Sequence, residues 1–267
     1  MRPIEELTNA EATELDGLLF DLDDTLLNHG WLTEPAYSAL FRLREGGLTL
    51  FAVTGRPAGW GEVLARQWPV DGFVTENGAV ALHRKGPQVL RIDAVSPDVR
   101  VARQRRLAAV ASDLRRQFPV LEPTDDMPAR TSDYAFDIGE RRQVSPMTVA
   151  KVIAMARERG IRTTHSSVHL HLSLDGDDKA SGVVRALRQL QGVDPGVARS
   201  RFAYIGDSAN DASCFAAFRT TIGVANVSGS PTVPPRYVTR SAMGAGFAEA
   251  ARVLLERRGV AESHPMI

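Results

Sequence analysis

Short apolar runs and longer amphipathic stretches alternate along most of the chain. The runs over 18–23, 48–53, 72–75, 201–205 and 220–224 have the length and continuous apolar character of buried strands. Between and after them, over 33–44, 61–67, 179–190, 210–218 and 245–258, the pattern is helical, with stops at Gly46-Gly47 and Gly192. A further short strand is expected near 237–239, and residues 1–15 read as a lead-in. Strand–helix alternation of this kind predicts a parallel sheet with helices on both faces, a Rossmann-like three-layer α/β core.

The texture changes after residue 80. Two apolar segments, 80–83 and 89–92, flank Arg84-Lys85-Gly86-Pro87 and read as a hairpin. Ser96-Pro97 opens a long helix that runs to Phe118, and Ser145-Pro146 opens another that stops at Gly160. Strands are expected over 133–137, 161–165 and 169–174. Two long helices over antiparallel-looking strands predict an α+β cap over 84–175, inserted into a core made of 1–83 and 176–267.

Composition narrows the function classes. Of 267 residues 43% are hydrophobic and 24% charged, as in an ordinary globular protein, and Lys plus Arg (32) balances Asp plus Glu (32). Without a global basic bias, neither nucleic acid nor an anionic membrane surface is an expected partner. The first fourteen residues are acidic and lack a basic stretch followed by an apolar one, so no signal peptide is expected. No apolar run reaches membrane-spanning length. The lone Cys214 sits in an apolar helical pattern and reads as core filler. A cytoplasmic monomer or homodimer is the expectation.

The chemistry concentrates where strands end. Leu18-Leu19-Phe20 delivers Asp21, Asp23 and Asp24, and on the strand expected over 18–23 Asp21 and Asp23 lean to the same side. Carboxylates that close repel one another, and a hard dication relieves them; Mg²⁺ needs only one or two carboxylates together with waters and phosphate oxygens. Asp21, Thr54 and Asp207 all follow strand ends, and in open α/β sheets ligands bind beyond those ends. Asp21 is the candidate nucleophile, forming an aspartyl-phosphate, and Asp23 the candidate general acid–base. Asp207 would ligate Mg²⁺, with Asp211 or Asn210 holding it through water or positioning the phosphate. Capping of helix 210–218 by Ser208 or Asp207 is the plainer explanation and is compatible with that role. Thr54 and Gly55 offer a hydroxyl and a backbone N–H to phosphate. Arg56 is placed either on substrate or in a salt bridge. Lys179 follows the cap and opens a helix; there it would neutralise Asp21 and the transferring phosphoryl group, although a lysine at a helix start is ordinarily a surface residue.

Four segments in this order, Asp21-Leu22-Asp23-Asp24-Thr25, Thr54-Gly55-Arg56, Lys179 and Gly206-Asp207-Ser208-Ala209-Asn210-Asp211, resemble the four motifs of the haloacid dehalogenase superfamily. The size and position of the insert, and Glu76-Asn77-Gly78-Ala79 before it, resemble the Cof-type, class IIB capped phosphatases, a group that includes sucrose-phosphate, trehalose-phosphate and mannosyl-3-phosphoglycerate phosphatases. The resemblance implies Mg²⁺-dependent hydrolysis of a small phosphorylated metabolite such as a sugar phosphate. It also implies a metal bond from the backbone carbonyl of Asp23, and it places Asp24 where many relatives have glycine. A phosphosugar mutase or a non-catalytic binding protein on the same scaffold are the alternatives. Substrate recognition is expected from the cap and its junction: Asn77, Ser166, Ser167, His169 and His171, the two histidines sharing a strand face. The cap arginines 103, 105, 106, 115, 116, 141 and 142 are read mainly as a solvated face, with one or two available to a second acidic group.

Overall fold

In the computed structural model, which describes residues 1–166, 168–174, 176–227 and 232–260, the apolar runs build one large sheet. In chain order the first half of the core contains β1 (Arg2–Pro3), α1 (Asn9–Thr13), β2 (Gly17–Phe20), the small hairpin β3 (Leu27–Asn28) and β4 (Trp31–Leu32), α2 (Glu34–Glu45), β5 (Thr49–Val53), α3 (Ala58–Gln67), β6 (Gly72–Thr75), β7 (Val80–Lys85) and β8 (Gln88–Asp93). The insert holds α4 (Pro97–Gln117), β9 (Glu122–Pro123), β10 (Tyr134–Asp137), α5 (Pro146–Glu158), β11 (Arg162–His165) and β12 (His169–Ser173). The chain returns through α6 (Lys179–Gln191), α7 (Pro195–Arg201), β13 (Phe202–Gly206), α8 (Ala212–Ala217), β14 (Thr220–Gly223), β15 (Tyr237–Val238) and α9 (Met243–Arg257).

Among the described residues the core sheet runs β1-β15-β14-β13-β2-β5-β6-β7-β8. It is parallel from β1 to β6, and the β7–β8 hairpin closes one edge antiparallel. β2 lies at the centre, with β13 and β5 as its neighbours. The three stretches carrying Asp21, Asp207 and Thr54 therefore leave adjacent strands at the same end of the sheet, at the point where strand order reverses. Alternation along the strands feeds two cores. Leu18 and Phe20 pack on one face with α2 and α9, where the Phe20 and Phe247 rings meet at 5.2 Å; Leu19 packs on the other with Val183, Leu187 and Tyr204.

The cap is an antiparallel sheet, β11-β12-β10-β9, under two helices. Its own core joins Leu107, Ala111 and Leu114 of α4 and Val149, Val152 and Ala156 of α5 to Phe136, Leu170 and Leu172. On β12 the alternation splits the strand cleanly. Leu170 and Leu172 enter the cap core, so His169 and His171 project from the opposite face.

Several expected boundaries move. The 80–93 hairpin hydrogen-bonds to β6 and extends the core sheet, so a division at 83/84 cuts through β7, and the insert leaves the sheet after Asp93. Residues 1–15 are more than a lead-in: β1 pairs with β15, and Thr8 and Glu11 form a capping box on α1. The first strand stops at Phe20 rather than at residue 23. Residues 22–26 coil into a tight turn with Asp24 at φ 56°, a left-handed conformation that a glycine adopts freely. The helix expected over 210–218 is a 3₁₀ turn, Ala209–Asp211, followed by α8. Ser167 and Asp175 lie outside the described residues. No helix among the described residues is long and apolar enough to cross a membrane.

Candidate active site

Asp21 is the first residue past β2, and its backbone N–H donates to the Ile205 carbonyl at 2.9 Å, extending the ladder by one bond to fix its carboxylate beside β13. Its Oδ1 accepts from Lys179 Nζ at 2.8 Å. The same ammonium donates to Asp211 Oδ1 at 2.7 Å and Asn210 Oδ1 at 3.2 Å. Lys179 is only 1% exposed. It reaches this depth because α6 starts against the 76–78 turn: a side-chain carbon on Gly182 would lie 2.3 Å from the Gly78 Cα, so only glycines allow the approach. Asp178 caps the helix by accepting from the Ser181 N–H, and Lys179 is its first residue.

Asp207 ends β13. Its Oδ1 accepts from the Thr25 hydroxyl at 3.0 Å and its Oδ2 from Asn226 Nδ2 at 3.2 Å. Asn226 also donates to the Asp24 carbonyl and accepts from the Met243 N–H, so it pins the acidic turn, the Asp207 carboxylate and the start of α9 together. Carboxylate oxygens of Asp21, Asp207 and Asp211 lie within 4.8 Å of one another, all three residues buried. Asp211 is already saturated: Lys179 and the Tyr204 hydroxyl donate to Oδ1, and the Asp207 and Ser208 N–H groups donate to Oδ2. Gly206 makes room for it, since a side-chain carbon there would come within 2.6 Å of the Asp211 carboxyl.

The cluster carries more negative charge than its one ammonium offsets. Burial, opposed by Lys179, pushes the Asp21 carboxyl up to about 7, with Asp211 and Asp23 adding to the rise. Burial, then Asp21 and Asp211, pushes Asp207 up to about 8. Burial works against the Lys179 ammonium, yet Asp21 and Asp211 outweigh it and hold its pKa above the ordinary lysine value. Oxygen donors with surplus buried negative charge fit a hard dication such as Mg²⁺, and Asp21 with Asp207 are the carboxylates best free to hold one.

Asp23 departs from the strand-face expectation. Because the strand has ended, its carboxylate lies outside the three-aspartate cluster, though still lining the same cavity, and meets Arg56, whose Nε and Nη2 donate at 3.0 and 2.7 Å. Arg56 resolves its two options toward ion pairing. It also donates to Glu140 of the cap at 2.9 Å, lies 3.8 Å from Asp126, and its guanidinium stacks 4.6 Å above the Trp60 ring. Thr54 is buried, with its hydroxyl accepting the Arg56 N–H.

Core and cap enclose a narrow cavity of about 10 Å³, on the order of one water site. Asp21, Asp23, Gly55, Ser166, Asp207 and Asn210 line it, as do both cap histidines. Ser166 Oγ accepts the His169 N–H, and His169 Nε2 lies 2.8 Å from Glu140 Oε2. Asn77, held at φ 53°, keeps a buried Oδ1 beside Gly55 that has no partner among the described residues. None of the cap arginines named from sequence lines this cavity. Arg116, Arg141 and Arg142 pair instead with Asp113, Asp137 and Glu122.

Sequence reading missed Thr25, Asn226, Tyr204, Glu76, Arg130, Asp133 and Glu140. Thr25 and Glu76 lie inside segments already singled out, so a signal existed. Tyr204 reaches Asp211 seven residues on, and Arg130 reaches Asp133 three residues on; Asn226, Asp133 and Glu140 enter the site through partners distant in sequence that no local pattern records.

A sheet that switches order at a strand bearing an aspartate, with a lysine and a second aspartate loop beside it and an inserted α+β lid above, is the haloacid dehalogenase-like fold. Residues 18–101 match the family of haloacid dehalogenase-like hydrolases. Among solved structures, a Thermoplasma acidophilum protein is similar at 17% identity and TM-score 0.72, over 92% of this chain and 99% of that one. A Synechocystis sucrose-phosphatase in complex with sucrose and phosphate is similar at 20% identity and TM-score 0.65, over 90% of this chain and 98% of its own. A subclass IIB sugar phosphatase of the superfamily is similar at 15% identity and TM-score 0.63, over 92% and 100%.

Proposed function

We propose that this chain is a Mg²⁺-dependent phosphatase that hydrolyses a small phosphomonoester, a sugar phosphate or related organic phosphate, through an aspartyl-phosphate on Asp21. The observation that carries this reading is the meeting of Asp21, Asp207, Asp211 and Lys179 in one buried cluster, although they are up to 190 residues apart in sequence. The sucrose-phosphatase and sugar-phosphatase neighbours support the choice of substrate class.

The residues divide the work as follows. Asp21 attacks the phosphorus, and the ester oxygen leaves as Asp23, which lines the same cavity and exchanges its pairing with Arg56 for a proton when substrate binds, supplies that proton; Asp23 then takes a proton from the water that hydrolyses the acyl phosphate. Lys179, with the Gly55 N–H and the Thr54 side of the turn, faces the phosphoryl oxygens and offsets their charge. Mg²⁺ held by Asp21, Asp207 and the Asp23 carbonyl would supply charge neutralisation of nucleophile and phosphate. Asp211 and Asn210 orient Lys179, and Thr25 and Asn226 orient Asp207.

The test is a panel of phosphomonoesters assayed with Mg²⁺ and with EDTA. Release of inorganic phosphate from at least one hexose phosphate, lost with EDTA, is the expected result; no release from any member contradicts the reading.

A further inference from the structure

The cap face of the cavity contains a second constructed element, built around His171. Asp133, just before β10, accepts from His171 Nδ1, with Oδ2 at 2.7 Å. A carboxylate only accepts, so the ring proton sits on Nδ1. Nε2 is left at the far end of the ring, 3.1 Å from where a side-chain carbon on Gly55 would stand, over the Thr54–Gly55 turn and in the cavity that holds Asp21 and Asp23. No protein group among the described residues bonds it.

The surroundings keep the ring neutral. Arg130 Nη1 donates to Asp133 at 3.0 Å, so the carboxylate's charge is already matched, and the same nitrogen lies 3.5 Å from Nδ1 and opposes a second positive charge. Burial holds the His171 pKa below the ordinary histidine value in spite of Asp133, with Arg130 and the neighbouring His169 acting in the same direction. Nε2 therefore presents a lone pair to the cavity. Phosphoryl oxygens are acceptors too and would be repelled by it; a hydroxyl would not.

The core holds this device in place. The buried Glu76 carboxylate accepts the backbone N–H groups of Ala58 at 3.0 Å, Thr131 at 2.9 Å, Ser132 at 2.5 Å and Asp133 at 3.1 Å, fixing the cap strap that carries Asp133. Arg130 adds a bond to the Gly55 carbonyl at 2.9 Å.

We propose that His171 is a specificity residue whose bare Nε2 accepts a hydrogen bond from a hydroxyl on the alcohol portion of the substrate, and that Asp133 is the positioning residue that makes Nε2 an acceptor by fixing the tautomer. The inference rests on the phosphatase reading and adds to it the atom that selects the leaving group.

The experiment compares the Mg²⁺-loaded full chain with His171→Ala, His171→Gln and Asp133→Asn, using p-nitrophenyl phosphate, which has no hydroxyl to offer, and the best-hydrolysed hexose phosphate. In Asp133→Asn, Arg130 retains the amide oxygen and the amide N–H₂ faces Nδ1, which transfers the ring proton to Nε2. The kcat/KM ratio of hexose phosphate to p-nitrophenyl phosphate is expected to fall about tenfold in His171→Ala and Asp133→Asn, mainly through KM, and to recover in part in His171→Gln, whose amide oxygen can accept. ¹⁵N NMR of labelled histidine is expected to show a bare Nε2 in the wild type and a protonated one in Asp133→Asn. An unchanged ratio, or a protonated Nε2 in the wild type, overturns this inference alone, as does a wild type that cleaves p-nitrophenyl phosphate but no hexose phosphate. A wild type inert to both substrates overturns the phosphatase reading and this inference with it.

Discussion

An ammonium buried between two buried carboxylates makes Lys179 the residue at which a single change is felt most. Removing it, as in Lys179→Met, leaves Asp21 and Asp211 without their counter-charge and is expected to cost about 3–5 kcal/mol in EDTA, read by chemical denaturation. The loss should shrink when Mg²⁺ is added, since a dication supplies the missing charge. Asp21→Asn has a different signature. It keeps the shape and an acceptor for Lys179 but removes the nucleophile, so kcat should drop by about three orders of magnitude or more while thermal melting stays close to wild type. At this scale much of the site was legible. Asp21, Thr54, Lys179 and Asp207 each stand at a strand end or helix start that the apolar pattern marks, and position at such an end is itself the chemical signal. Asn226 and Asp133 were not legible, because each matters through a partner far away in sequence. The pairing of Asp23 with Arg56 was not legible for a local reason: the strand ends at Phe20, and two-residue alternation fails once the strand does.

At the scale of elements, β12 shows how one alternating strand serves two purposes. Its leucines hold the cap core, and its histidines close the cavity, so the strand that stabilises the cap also aims its recognition groups. That shared face was readable from sequence; which carboxylate clamps each ring was not. The strap over 130–133 is the corresponding device at the junction. With one oxygen of Glu76 replaced by N–H₂, donors would face donors, so Glu76→Gln is expected to destabilise the fold by about 1–3 kcal/mol and to raise hydrogen exchange at the 131–133 amides first. Uniform exchange across core and cap in that variant would deny the strap its role as a tether. The misread boundary at residue 84 has a plain cause. A hairpin looks the same in sequence whether it joins the core sheet or the cap, and only pairing with β6 decides.

The whole molecule is drawn shut, with cap and core leaving space on the order of one water site, so a substrate requires the two to separate. Its stability should report the state of the acidic cluster. The carboxyl pKa values of Asp21 and Asp207 rise from 3.8 to about 7 and about 8. Groups raised in this way contribute stability that is complete below their unfolded pKa and lost as pH climbs through the folded one. The metal-free protein should therefore melt lower as pH rises from about 5 to about 8. Asp133 and Glu140, both held at about 2, are ionised across most of that window and add little slope; His171, held below the ordinary histidine value, opposes the fall, one group against two. Mg²⁺ favours the ionised cluster, so its gain in melting temperature should be larger at the alkaline end. An equal gain at both ends, or none, would argue against a dication at these carboxylates.

The most direct measurement is the crystal structure of the protein with Mg²⁺ and orthovanadate. One metal ion shared by the Asp21 and Asp207 carboxylates is expected, with vanadium within bonding reach of Asp21 and its oxygens facing Lys179. Vanadate bound elsewhere, or a cluster holding no metal at saturating Mg²⁺, would contradict that expectation.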